Sequence, residues 1–336
     1  TGKLDLINIG LLLFSCALAF VIPFELFLFV YAFLGPLHYL TEISWLHDKN
    51  YYAKSKKDVI LLVLISIALT ILFFWIRNNP QAMLEYITFE QFRLLNSNLT
   101  FVAFGSALFF AFIKKPIIKI IGVGLIILLT FLIDTPIVFF TVFLPTLVHV
   151  FVFTSLFMLY GALKSNSKAG LLSVLIHLLI PFALFYFAPG FMPFEIGEYI
   201  TSSYGEGFEG LNKHILQNTF DIQFAGMTAQ QTFESVYNSE TGIAIMRFIA
   251  FAYTYHYLNW FSKTEIIRWH KVPKSRFALV LIGWVVSIVL YAWDYALGFQ
   301  WLFLLSFMHV LLEFPLNYVS FVGIFQEVRS RVIKTA

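Results

Sequence analysis

The chain has 336 residues, of which 60% are hydrophobic and only 12% are charged, with a formal net charge of +3. Soluble domains carry about 25% charged residues, so this composition and a mean hydropathy of +0.82 exclude an ordinary soluble protein. Lysine and arginine are spread along the chain, which argues against a nucleic-acid-binding surface. The single cysteine, Cys16, excludes an internal disulfide.

Apolar runs of the length that crosses a bilayer, about 20 residues each, recur along the whole chain. We predict an all-α, polytopic membrane helical bundle with about ten transmembrane spans. In chain order the predicted spans are Leu6–Ile22, Phe24–Leu46, Val59–Ile76, Thr100–Ile113, Ile117–Ile133, Ile137–Leu163, Leu171–Ala188, Ile243–Phe261, Phe277–Ala296 and Trp301–Phe325. Residues 1–336 then form a single integral-membrane domain, with one long loop at residues 189–242.

Basic residues are concentrated in every second predicted loop. Lys54, Lys56 and Lys57 follow the second span, and Lys263 and Arg268 follow the eighth, whereas the 189–242 loop is acidic. Because cytoplasmic loops collect lysine and arginine, we expect both termini in the cytoplasm and the long loop outside. The abundance of Phe, Ile, Lys and Asn is typical of an AT-rich genome, so the predicted location is a bacterial cytoplasmic (inner) membrane.

Two predicted spans carry the same pattern, His-x-x-x-Glu. One is His38–Glu42 and the other is His309–Glu313. On a helix, positions i and i+4 lie on one face, one turn apart. Imidazoles and carboxylates are costly inside a membrane and by default indicate a functional site. We therefore predict that the two pairs approach one another around a shared polar site, with Glu42 and Glu313 binding a metal or relaying protons.

Three more histidines lie within spans, and we expect them to complete the site in the order His256, His177, His149. Asn259 and Asn317 follow His256 and Glu313 at helical spacing, so they are candidates to orient the ligands from behind. A single buried histidine more often hydrogen-bonds to a neighbour than binds a ligand. Five histidines on five spans favour the shared site over an entirely structural role.

Histidine with carboxylate is the ligand set that suits iron, manganese and zinc, and helical bundles build di-iron sites from such inward-facing side chains. We expect a bound metal, iron (Fe²⁺) in the first instance. The chain contains no nucleotide-binding loop, no Gly-x-Ser-x-Gly and no His-Glu-x-x-His.

The tripeptide His-Tyr-Leu occurs twice, at 38–40 and 256–258, and each copy is followed at a different distance by a Thr-Glu-Ile segment. Two inverted halves of five spans would relate the second span to the seventh. The two copies lie on the second and eighth spans, so we interpret the repeated tripeptide as coincidence.

The size, the span number and the scattered histidines resemble the bacterial Brp/Blh-type β-carotene cleaving dioxygenases, all-helical membrane proteins whose iron is thought to be held by histidines on separate spans. The resemblance implies a non-haem iron oxygenase that acts on a lipid-soluble substrate such as a carotenoid or acyl chain. Alternatives are a proton-coupled transporter or channel, a haem-binding electron carrier and a non-catalytic subunit of a membrane complex. Membrane lipids are expected partners in every case.

Overall fold

The computed structural model of the chain describes residues 2–49, 55–79, 88–132, 139–187 and 190–335. All regular structure in these ranges is helical, as predicted. The helices are α1 (Gly2–Val21), α2 (Pro23–Lys49), α3 (Lys56–Asn78), α4 (Phe89–Phe112), α5 (Pro116–Thr130), α6 (Phe139–Phe153), α7 (Thr154–Ser165), α8 (Lys168–Tyr186), α9 (Glu198–Gly205), α10 (Glu209–Phe220), α11 (Ala229–Phe233), α12 (Glu234–Asn238), α13 (Glu240–Ser262), α14 (Thr264–Ile267), α15 (Lys274–Trp293) and α16 (Tyr295–Thr335).

Among the described residues, eight helical segments are long and apolar enough to cross a membrane, which suggests a multi-pass membrane protein. They are Gly2–Val21, Pro23–Lys49, Lys56–Trp75, Leu95–Phe112, Val142–Ser165, Lys168–Tyr186, Lys274–Trp293 and Tyr295–Ile333. Two predicted spans are not among them. Helix α5 has only 15 residues, and α13 is less apolar because it carries Arg247, His256 and several tyrosines. The count of ten stays a prediction, and the span ends at Ile133, Ile137 and Ala188 lie outside the described residues.

Helix α13 lies at the centre of the bundle. It packs against α1, α2, α6 and α8, and its Ile245, Met246 and Phe251 are fully buried. Helices α3 and α15 differ, since Ile71 is 63% exposed and Ile282 is 60% exposed. Apolar residues on the outside and polar residues at the centre are the arrangement that a lipid environment requires.

Prolines interrupt four helices close to the predicted site residues. Pro36 lies in α2, Pro145 in α6, Pro181 in α8 and Pro315 in α16. A proline inside a helix removes a backbone hydrogen bond and bends the chain, and α6 is kinked at Thr146, with φ −112° and ψ −105°. Each of these prolines therefore lies within two helical turns of a buried histidine.

The four short helices α9–α12 form a cap, residues 198–238, over one end of the bundle. Helix α9 packs on α2, and α10 and α12 pack on α13. Phe208, between α9 and α10, inserts into a cluster of aromatic rings, with centroids 4.7 Å from Phe27, 4.7 Å from Tyr31 and 5.1 Å from Phe299. The cap thereby closes the aromatic interior at this end.

Candidate metal centre

Four histidines from four helices meet inside the bundle. His38 comes from α2, His149 from α6, His256 from α13 and His309 from α16, and their exposed fractions are 1%, 2%, 8% and 2%. One ring nitrogen from each lies within 4.8 Å of the corresponding nitrogen of the other three. This four-histidine group could hold a metal ion.

The nitrogen spacing suits a single ion. Metal–imidazole bonds of about 2.0–2.1 Å place adjacent ligand atoms about 3.0–3.4 Å apart. The Nε2 atoms of His38 and His256 are 3.0 Å apart, and those of His149 and His309 are 3.1 Å apart. Each pair is thus spaced like adjacent ligands of one metal. His38 and His309 also face each other, with ring centroids 5.4 Å apart.

The two carboxylates approach the group differently. Glu42 Oε2 is 3.1 Å from His38 Nε2, the nitrogen that also faces His256. Glu313 Oε2 is 3.0 Å from His149 Nδ1, whereas Nε2 of the same ring faces His309. Glu42 can therefore join the ligands directly, while Glu313 can hold the far nitrogen of a ligating imidazole, a common arrangement behind metal-bound histidines. Both glutamates are 2% exposed.

His256 is oriented by a hydroxyl that the sequence did not single out. Its Nδ1 is 2.8 Å from Thr154 Oγ1, at the start of α7. This contact leaves Nε2 to face His38. Fixing one ring nitrogen sets which nitrogen faces a metal.

His177 lies outside the four-histidine group. Its Nδ1 is 2.9 Å from Ser155 Oγ, and its ring packs against Phe151 and Tyr255, at 4.5 and 5.1 Å. It is completely buried in α8. Of the three histidines expected to complete the site, His256 and His149 join the four-histidine group and His177 does not, because its ring faces α7.

A cavity of about 160 Å³ lies on the glutamate side of the group. His38, Glu42, His256 and Glu313 line it, together with Asn259 and Lys263. Asn259 Oδ1 makes no hydrogen bond within the described residues, so this predicted residue does reach the site. Asn317 is buried, and its amide does not line this cavity.

A larger, aromatic cavity of about 410 Å³ lies on the cap side. Tyr31, Phe73, Phe208, Phe299, Phe303 and Phe307 are among its walls. Between this cavity and the histidines lies a void of about 10 Å³, and Pro145, Tyr253 and Ser306 line both spaces. The four-histidine group thus separates an aromatic chamber from a smaller cavity that contains carboxylates.

The two His-Tyr-Leu copies meet at the site. His38 contacts His256, and the hydroxyl oxygens of Tyr39 and Tyr257 are 2.7 Å apart. Both copies are visible in the sequence, but an inverted repeat of five spans does not relate the second span to the eighth. Helices α2 and α13 pack closely, which brings the two copies into register. Tyr39 and Tyr257, like Thr154, are site residues that the sequence patterns did not indicate.

No family model matches the chain, and no curated protein or solved structure matches it either. The candidate function therefore depends on the geometry of the site.

Proposed function

We propose that the protein is a membrane-embedded, metal-dependent oxygenase, a non-haem iron enzyme that acts on a lipid-soluble substrate such as a carotenoid or acyl chain. The observation that carries the proposal is the buried four-histidine group at the end of an aromatic chamber. Neither feature alone would indicate this chemistry. Together they place a set of metal ligands next to a space suited to an apolar molecule.

Iron fits the donor set on this chain. Four neutral imidazoles and one carboxylate leave room for a further ligand on a six-coordinate ion, and imidazole with carboxylate suits ferrous iron. His38, His149, His256 and His309 would hold the ion, with Glu42 beside them. The two buried carboxylates, Glu42 and Glu313, balance the charge of a divalent cation in a region where net charge is costly. When bound, iron would supply the activation of dioxygen.

The aromatic chamber supports an apolar substrate. Phenylalanine rings dominate its walls, and Asn96, Thr100 and Ser306 supply a few hydroxyl and amide groups. An elongated apolar molecule would lie along these rings and point one end at the histidines. Burial among aromatic side chains excludes water from the reacting part of the substrate.

The membrane placement is part of the same proposal. Ten spans, both termini in the cytoplasm and the cap outside a bacterial inner membrane would put the aromatic chamber in the outer half and the carboxylates in the inner half of the bilayer. The alternation of basic loops in the sequence supports this orientation.

A proton-coupled transporter is the second candidate, because cavities lie on both sides of the four-histidine group. Buried glutamates beside histidines are also typical of proton pathways. A haem protein has less support, since four imidazoles from four helices leave no open plane for a porphyrin. A non-catalytic subunit has no specific observation in its favour.

The test is metal analysis followed by oxygen consumption. Protein purified in mild detergent at neutral pH should hold about one iron per chain, because metal affinity depends on deprotonated ligands. It should then consume dioxygen only when a carotenoid or unsaturated lipid is added. Less than about 0.2 metal per chain would contradict the proposal. Uptake driven by a pH gradient in proteoliposomes, without oxygen consumption, would favour the transporter.

A further inference from the structure

Two tyrosines form a hydrogen-bonded pair against the four-histidine group. The Tyr39 ring stacks on His309, with centroids 4.1 Å apart and planes 27° from parallel. The Tyr257 ring lies 5.2 Å from His38 and 5.5 Å from His256. Both tyrosines are buried, at 2% and 1% exposure. The pair therefore contacts three of the four candidate ligands.

The hydroxyls of this pair can direct one hydrogen away from each other. Their oxygens are 2.7 Å apart, and either can be the donor. Each phenol has one hydrogen and accepts as well, so one hydrogen lies between the oxygens and the other points elsewhere. The Tyr39 hydroxyl also lies within hydrogen-bonding reach of Tyr31, whose hydroxyl faces Ser306 Oγ at 3.4 Å. When the hydrogen bonds run from Tyr31 through Tyr39 to Tyr257, the Tyr257 hydroxyl is left with the hydrogen to donate, and a buried donor without an acceptor is destabilising.

The void beside the histidines is where an acceptor fits. It measures about 10 Å³ and is lined by Tyr39 and Tyr257 as well as by His149, His256 and His309. A volume of about 10–15 Å³ is the least that holds one water-sized molecule. The two tyrosines, the three histidines and Ser306 therefore leave space for the metal-bound atom of a small ligand.

A glycine leaves room for the pair. A side chain at Gly35, on α2, would place its Cβ 3.3 Å from the Tyr257 hydroxyl and 3.4 Å from the Tyr39 hydroxyl. Gly35 precedes Pro36, where the helix lacks a backbone hydrogen bond. The local sequence of α2 thus provides both the bend and the space that let the phenols meet beside His38.

We propose that the Tyr39–Tyr257 pair donates a hydrogen bond to a small anionic or oxygen-containing ligand that binds the metal in this void. The inference rests on the proposed metal site and adds a ligand-binding device to it. Hydrogen bonds to charged acceptors contribute about 1.5–3 kcal/mol. The ligand therefore binds about 10- to 100-fold more tightly with the pair than without it.

Azide is the probe, titrated into the purified, iron-loaded protein after oxidation to the ferric state and followed by its charge-transfer absorption. The double variant Tyr39→Phe/Tyr257→Phe should bind azide about 10-fold more weakly or worse, with unchanged iron content. One single variant should reproduce most of the loss, which identifies the hydroxyl that faces the ligand. The control is Tyr255→Phe, because that phenol donates to Met158 Sδ at 3.4 Å and lies away from the void.

A second measurement uses the unaltered protein, in case the double variant does not fold. The infrared stretch of bound azide should shift between H₂O and D₂O, because the donor hydroxyl exchanges its hydrogen. Azide affinity unchanged within twofold in the double variant, or the absence of a solvent isotope shift, would overturn the inference. Protein that holds no iron before azide is added would instead contradict the metal site itself, so the two failures are distinguishable.

Discussion

The candidate centre is built from two halves that share ligand types but differ in geometry. In one half, His38 and Glu42 on α2 meet His256 on α13, and the carboxylate lies 3.1 Å from the nitrogen that faces the partner imidazole. In the other half, His309 and Glu313 on α16 meet His149 on α6. There the carboxylate lies 3.0 Å from the far nitrogen of His149.

The difference shows that one sequence pattern can serve two roles. Both glutamates follow a histidine by one helical turn, yet Glu42 pairs with its own histidine and Glu313 pairs with a histidine from another helix. Helix α6 is kinked at Thr146, one turn before His149, and the His149 ring faces His309 on α16. Glu42 thus lies where it could join the ligands, and Glu313 lies where it could orient one.

The largest expected effect is loss of the metal from either half. His38→Ala and His309→Ala should each abolish stoichiometric metal binding, because each removes one nitrogen of the four and leaves its neighbour without a partner. Elemental analysis of the folded, purified variants measures this. His177→Gln is the control and should keep the metal, since His177 contacts Ser155 outside the group. Equal loss in all three variants would show that the assignment of ligands is wrong.

Substitution of each glutamate tests directly whether the two halves of the centre differ in their contribution to metal affinity. Glu313→Gln should weaken metal binding by about 10- to 100-fold, the usual cost of removing a group that orients a ligand. Glu42→Gln should weaken it more, because that change removes a charged donor next to the ion. Competition with a metal chelator gives both affinities. Identical losses would mean that the carboxylates are equivalent and that the asymmetry has no consequence for metal binding.

Thr154 tests how precisely His256 must be held in its half. Thr154→Val keeps the shape of the side chain but removes the hydroxyl at 2.8 Å from His256 Nδ1. We expect metal affinity to fall by about 10-fold. Ser155→Ala, which removes the matching hydroxyl from His177, should leave the affinity unchanged. If Ser155→Ala had the greater effect, His177 would belong to the site after all.

The smallest effect concerns Lys263, just beyond the end of α13, which lines the carboxylate cavity. Burial lowers the pKa of Lys263 to about 8, and the carboxylate of Asp5 opposes this shift. Below that pH the ammonium is charged and repels a cation, so metal affinity should rise as the pH increases through about 8.

Lys263→Met should remove this step in the pH profile and leave the dependence that comes from histidine deprotonation. Lys213→Met, on the cap and paired with Glu209, is the matched control. Superimposable profiles for the Lys263 variant and the unaltered protein would contradict the prediction, and isothermal titration at several pH values decides it.

The sequence determined the helical class of the protein and much of its polar centre. Apolar runs of bilayer length predict helices wherever they occur, because a backbone in lipid must satisfy its hydrogen bonds internally. The cost of burying imidazole and carboxylate likewise selected His38, Glu42, His309 and Glu313 as candidates. These inferences need only local periodicity and composition, and the helical fold agrees with the first of them.

Only the tertiary structure decided which buried histidines meet. His149 and His177 lie on predicted spans and each lies near a proline, yet one joins the group and the other bonds to Ser155. The rotation and bend of each helix set this outcome, and packing against neighbours fixes both. For the same reason the pairing of Tyr39 with Tyr257 became visible only when α2 and α13 lay side by side, since residues 218 positions apart share no local pattern that places them in contact.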